Sequence, residues 1–167
     1  MTGALIVTAG LGASDFARLD AQRRRYFPPE RNLLSAHLTM FHALPPSAED
    51  EARSLFARLA VAPAPAAEIS GLINLGRGVA YAVRSPRLED IRRRIAEHFR
   101  GLLTAQDANR WRPHVTVQNK VDPSRSRALL AELSASFRPR SLRIEGIALH
   151  RYLGGPWEPL GSWPFRG

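Results

Sequence analysis

The sequence predicts an α+β fold in which a strand-and-helix unit occurs twice, and three observations carry that prediction. Short apolar runs with strand character outnumber the segments with helical spacing. The pattern His-x-Thr occurs twice, as His37-Leu38-Thr39 and His114-Val115-Thr116, each time in a β-like run. Counted from each motif histidine, a proline falls at +9 (Pro46, Pro123) and a serine at +10 (Ser47, Ser124), just before an apolar-periodic helix.

In chain order, the run Ala4 to Gly10 reads as a buried strand, and Ser14 as the N-cap of a helix that ends at Tyr26, before Phe27-Pro28-Pro29. His37 to Leu44 forms the first motif strand. After Pro45-Pro46-Ser47 comes a helix with Ala48, Ala52, Leu55, Phe56 and Leu59 on one side. Val61 to Ala66 is a connector, and Glu68 to Leu75 and Gly78 to Arg84 are strands joined by a glycine-containing turn. Ser85-Pro86 opens a third helix with the stripe Leu88, Ile91, Ile95, Phe99 and Leu102, which leaves Arg92, Arg93 and Arg94 mostly on other sides. A polar loop through Asp107-Ala108-Asn109 leads to the second motif strand, His114 to Val121. Asp122-Pro123-Ser124 then starts a helix carrying Leu129, Leu130, Leu133 and Phe137. Ser141 to Leu153 and Pro156 to Phe165 read as strands joined at Gly154-Gly155-Pro156.

A length of 167 residues suits a single domain, residues 1–167, of two small lobes sharing a core. The formal charge is +9, and all but one of the 24 basic residues are arginine. Arginine presents a planar fork matched to phosphate, and a basic surface attracts nucleic acid, although a coding sequence rich in G and C would produce the same excess. Cysteine is absent, which excludes disulfides and thiol chemistry. No apolar run is long enough to span a bilayer, and the start MTGALIVTAG lacks a signal-peptide pattern, so a soluble cytoplasmic protein with no membrane partner is expected.

With only five His and five Thr in the chain, two His-x-Thr pairs amount to about a one-in-a-hundred coincidence. Residues i and i+2 of a strand share a face, so each imidazole would project beside its hydroxyl. Packed about a pseudo-twofold axis, the two motifs would face each other across one cleft. His37 and His114 could then divide base and acid work on a phosphodiester while Thr39 and Thr116 hold its free oxygens. Taken singly, each motif reads better as a hydrogen-bonded strand histidine beside a good β-former, and only the pair in equivalent contexts favours the site.

Further candidates for substrate contact surround the motifs. Phe41 extends the face of His37 and Thr39, as cleft wall or as core. Arg110 and Arg112 flank Trp111 and could grip phosphates or bases. Tyr152 shares a strand face with His150 and could stack on a base, while Arg77 and Tyr81 lie around the turn into the Gly78 to Arg84 strand. His42, five residues past His37, belongs on the opposite strand face, and His98 reads as solvated. Strand-like ALIVTAG before Gly10-Leu11-Gly12 imitates a dinucleotide fingerprint, but Asp15 stands where its third glycine belongs. No histidine pair has metal-ligand spacing, and neither a metal nor a cofactor is expected.

Taken together, the chain resembles the 2H phosphoesterase superfamily, in particular its bacterial 2′-5′ RNA ligase-like group, whose signature is two H-x-T motifs half a domain apart. Here the separation is 114 − 37 = 77 residues. Pro113 before the second motif and Tyr152 before the Gly154 to Trp157 turn match as well. The resemblance implies a bilobal duplication with pseudo-twofold symmetry, mostly antiparallel sheets around a central cleft, and a monomer. It implies metal-independent chemistry at 2′,3′-cyclic phosphates or 2′-5′ bonds of RNA or a small cyclic nucleotide, with His114 as the base and His37 as the acid. A nucleotide-binding sensor with little catalysis is the alternative reading.

Overall fold

The structure is a computed structural model that describes residues 3–167. Seven strands form one antiparallel sheet: β1 (Leu5–Leu11), β2 (Leu38–Leu44), β3 (Ala66–Asn74), β4 (Val79–Arg84), β5 (His114–Gln118), β6 (Arg140–Tyr152) and β7 (Trp157–Pro164). Their order is β2-β1-β6-β3-β4-β5, with β7 beside β6. Five α-helices complete the fold: α1 (Ala13–Tyr26), α2 (Glu49–Leu59), α3 (Pro86–His98), α4 (Ala105–Ala108) and α5 (Pro123–Ser136). The order strand, helix, motif strand, helix occurs as β1-α1-β2-α2 and again, with the short α4 added before β5, as β4-α3-β5-α5.

β6 joins the two halves. Residues 140–143 pair with β3 in one half, and residues 144–151 pair with β1 in the other. Each half therefore ends in a motif strand, β2 or β5, at its outer edge, and these two edges approach one another. The buried Leu, Ile, Val and Phe side chains of all the strands except β7, together with those of α1, α2 and α3, form one core. Burial at about 25 cal/mol per Å² holds the layers together and so fixes where the edges meet.

Most boundaries fall where the local signals put them, with four differences. Helix α1 begins two residues early, with Gly12 rather than Ser14 as N-cap and no side-chain cap bond, while Asp15 in its first turn accepts the Arg143 amide at 2.8 Å. Ser85 does cap α3, accepting the Leu88 amide at 3.3 Å. α3 ends at His98, and Gly101 turns the chain with φ +86°, so Leu102 leaves the stripe and is exposed. The loop around Asp107 holds the short helix α4, capped by Thr104. β5 stops at Gln118, three residues before Val121.

Candidate active site

Both motif strands carry a β-bulge at the same place. Thr39 pairs with Thr8 and Phe41 with Val7, which leaves Met40 as an extra residue. Thr116 pairs with Ala80 and Gln118 with Val79, which leaves Val117 extra. A bulge one residue after the motif threonine shifts the face of the residues that directly follow it. Two sequence expectations are corrected as a result. Phe41 is fully buried in the core and cannot touch a ligand, whereas His42 returns to the cleft beside Thr39.

The two imidazoles are held alike. His37 Nδ1 lies 2.8 Å from the Ser35 carbonyl oxygen, and His114 Nδ1 lies 2.6 Å from that of Arg112. A carbonyl can only accept, so each Nδ1 carries the proton and donates, leaving each Nε2 available for proton exchange. His37, Thr39, His114 and Thr116 all line one cavity of about 370 Å³. Burial pushes His37 down to about 4, opposed by the Ser35 hydrogen bond and reinforced by the nearby charges of Arg23, His150 and His114. His37 is therefore neutral near pH 7.

A second cavity of about 440 Å³ shares His37, Thr116 and Trp157 with the first, so the cleft has two arms meeting at the motifs. Arg110, Trp111 and Arg112 line the first arm, and the Trp111 indole N–H donates to the Thr39 carbonyl at 3.0 Å. Tyr152 lines the second, with Arg23, Arg31 and Lys120. Two other candidates are not brought to the site. Tyr81 pairs with Val115, on the core side of the sheet, where it is buried and stacked on Phe137. Arg77 is exposed in the β3–β4 turn and lines neither arm.

The structure also brings in three side chains with no role in the sequence reading, Trp157, Asp107 and Arg92, and seats His150, expected on the Tyr152 face at the cleft border, beside Trp157. Trp157 packs against His37 at 4.7 Å and His150 at 5.3 Å between ring centroids, while His150 Nε2 lies 3.0 Å from the Thr8 hydroxyl. Asp107 is buried and accepts from the His42 and Ala43 amides at 2.9 Å and from His42 Nδ1 at 3.1 Å. Burial alone would raise its pKa, but these bonds hold the carboxyl below the ordinary range. Arg92, expected on a solvated side of α3, is buried. Its Nε donates to the Met40 carbonyl at 3.2 Å, its Nη2 to that of Asp107 at 2.6 Å, and its guanidinium lies 4.3 Å over Phe41.

Arg23 mirrors it from the other half: Nη1 donates to the Thr116 carbonyl at 3.2 Å, Nε to Asn32 at 2.7 Å, and the guanidinium lies 4.3 Å over Phe27. A signal for both was present, since each arginine stands four residues after a fully buried leucine, Leu19 or Leu88, on the inward stripe of its helix. Among the described residues, no three His, Asp or Glu side chains cluster as a metal-ligand set.

Comparison with known proteins agrees with this architecture. Solved structures similar over the whole fold include TT0787 of Thermus thermophilus, 22% identical with a TM-score of 0.66 over 98% of each chain. E. coli LigT complexed with 3′-AMP is 18% identical, with a TM-score of 0.62 over 100% of each chain. A structure described as a phosphoesterase is 19% identical, with a TM-score of 0.61 over 100% of each chain. No curated protein sequence matches. The family model of the 2′-5′ RNA ligase superfamily matches residues 12–156, a span that takes in both motifs, and the chain belongs to that superfamily.

Proposed function

We propose that this protein is a phosphoesterase of RNA ends or nucleotides that hydrolyses a 2′,3′-cyclic phosphate to a 2′-phosphate, and that joins or cleaves 2′-5′ linkages by the same chemistry. The observation that carries the proposal is the pair of H-x-T motifs lining one cavity, with both imidazoles presenting Nε2. His114 takes a proton from water as the water oxygen bonds to phosphorus. The bond from phosphorus to O3′ breaks, and His37 delivers a proton to that oxygen. Thr39 and Thr116 donate to the non-bridging oxygens, whose charge the cleft arginines balance. In the joining direction the two histidines exchange roles.

Membership of the family and the 3′-AMP and ATP complexes of the similar E. coli LigT support a nucleotide substrate. Acid–base exchange between two imidazoles calls for no cofactor or metal, and one chain supplies both motifs, which fits a monomer. Among the described residues no helix is long and apolar enough to cross a membrane, and we read the protein as cytoplasmic. The test is turnover of a 2′,3′-cyclic nucleotide: His37→Ala and His114→Ala should each lower kcat about 10²- to 10⁴-fold. Near wild-type rates in both variants would overturn the mechanism, and tight binding without turnover by the unaltered protein would identify a sensor.

A further inference from the structure

We propose that Trp157 is a positioning residue for His37, and that it makes the two motif histidines unequal by bracing one imidazole and leaving the other unbraced. The inference rests on the phosphoesterase reading of the site and adds a residue to it. His37 and His114 are held alike at Nδ1, yet they differ in what lies beside the ring. The Trp157 indole lies 4.7 Å from the His37 ring between centroids, tilted by 60°, whereas among the described residues no aromatic ring packs against His114. Topology accounts for the difference. β7 begins at Trp157, which pairs with Tyr152 at the end of β6. In the other half the corresponding neighbour is the start of β6, which pairs with β3 only over residues 66–69 and places no residue beside the rest of β3, up to Asn74.

Trp157 is itself held. The Leu153 amide donates to the Pro156 carbonyl at 3.0 Å and closes the turn that presents it. Its ring also meets His150, at 5.3 Å between centroids, and His150 Nε2 lies 3.0 Å from the Thr8 hydroxyl. A line of contacts therefore runs from Thr8 on β1 through His150 and Trp157 to His37. His37 and Trp157 together border both arms of the cleft and a third cavity of about 220 Å³, which Thr8, Phe16 and His150 also line. Removing the indole would merge these spaces around His37 and admit water to it. A ring packed on an imidazole limits its swing, and proton transfer is sensitive to displacements of about 1 Å. The same ring keeps away the water that a charged imidazole needs.

Arg23 on α1, His114 on β5 and His150 on β6 act on the charge of His37 directly. Arg31, Arg92, Arg110, Arg112 and Lys120, with the paired His42 and Asp107, line the cavities it borders, and Glu158 beside Trp157 is paired with Arg151. All of these remain when Trp157 is replaced, so a change in the His37 titration reports the indole. The test follows the histidine NMR signals of the full-length, substrate-free protein across pH, with His37→Ala assigning the His37 signal. In Trp157→Ala the His37 midpoint should rise from about 4 by at least about 1 pH unit, while Trp157→Phe stays near the wild type. With a 2′,3′-cyclic nucleotide, kcat of Trp157→Ala should fall about 10²-fold and KM should change only a few-fold. An unmoved His37 midpoint in folded Trp157→Ala would overturn the inference, as would a raised KM at unchanged kcat, the mark of a ring that only holds substrate. Trp157→Leu carries the same readings if Trp157→Ala fails to fold. Should the wild-type protein turn over no phosphodiester, the phosphoesterase reading falls, and the titration alone decides the role of Trp157.

Discussion

His37 is the residue at which physical chemistry constrains the mechanism most. A histidine held at about 4 has its Nε2 unprotonated near pH 7, yet an acid must carry a proton there. The proton must therefore arrive with the substrate, whose negative charge favours the imidazolium against the burial and the Arg23 charge that keep the proton off. Binding of a nucleotide phosphate at pH 7 should take up close to one proton, measured by calorimetry in buffers of different ionisation enthalpy, and affinity should fall as pH rises. No uptake would assign His37 the role of base. The four motif residues were legible in the sequence because spacing alone reveals them. Phe41 and His42 exchanged faces because a bulge leaves no mark in a pattern of period two, and Met40 is as good a strand residue as its neighbours. Arg23 and Arg92 were hidden by company, each standing in a run of three arginines of which only one points inward.

At the scale of elements, the outer edge of β2 is finished by side chains from the segment spanning residues 92–111. Arg92 and Trp111 take the Met40 and Thr39 carbonyls, and Asp107 takes the next two amides. An edge otherwise open to pairing with another chain is thereby closed, and Thr39 is held in place. Asp107→Asn should cost about 1–3 kcal/mol at pH 7, read from urea unfolding. The pH dependence has a definite sign. A carboxyl whose folded pKa lies below its unfolded value adds stability that is complete above the unfolded pKa and lost as pH falls through the folded one. The wild type should lose this increment in acid and the Asn variant should lack it throughout. Strand and helix identities were legible because hydrophobic period and Pro, Gly and Ser punctuation are local. The α4 turn was not, since its four residues are ordered by what Asp107 binds 65 positions earlier.

Across the whole molecule, β6 decides that the halves stand or fall together. Its 13 residues serve as a sheet strand for both and change partner between Arg143 and Ile144; just beyond, Gly146 is packed so closely that a Cβ there would sit 2.4 Å from the Trp163 carbonyl oxygen. Gly146→Ala should destabilise by several kcal/mol and should lower a single cooperative transition rather than split it, as followed by calorimetry and by tryptophan fluorescence together. Two transitions would mean independent halves. Pairings such as Ile144 with Leu11 lie far apart in sequence, and nothing local announces them.

Arg23 leaves the first half to hold the Thr116 carbonyl, and Arg92 leaves the second to hold that of Met40. Each half orients its own imidazole, through Ser35 or Arg112, but braces the strand on which the other's motif stands. A substitution that shifts one helix is therefore felt at the opposite histidine, and the two halves are not free to vary separately. A protein fastened in this way has no half-strength state: damage to either side disables the whole cleft.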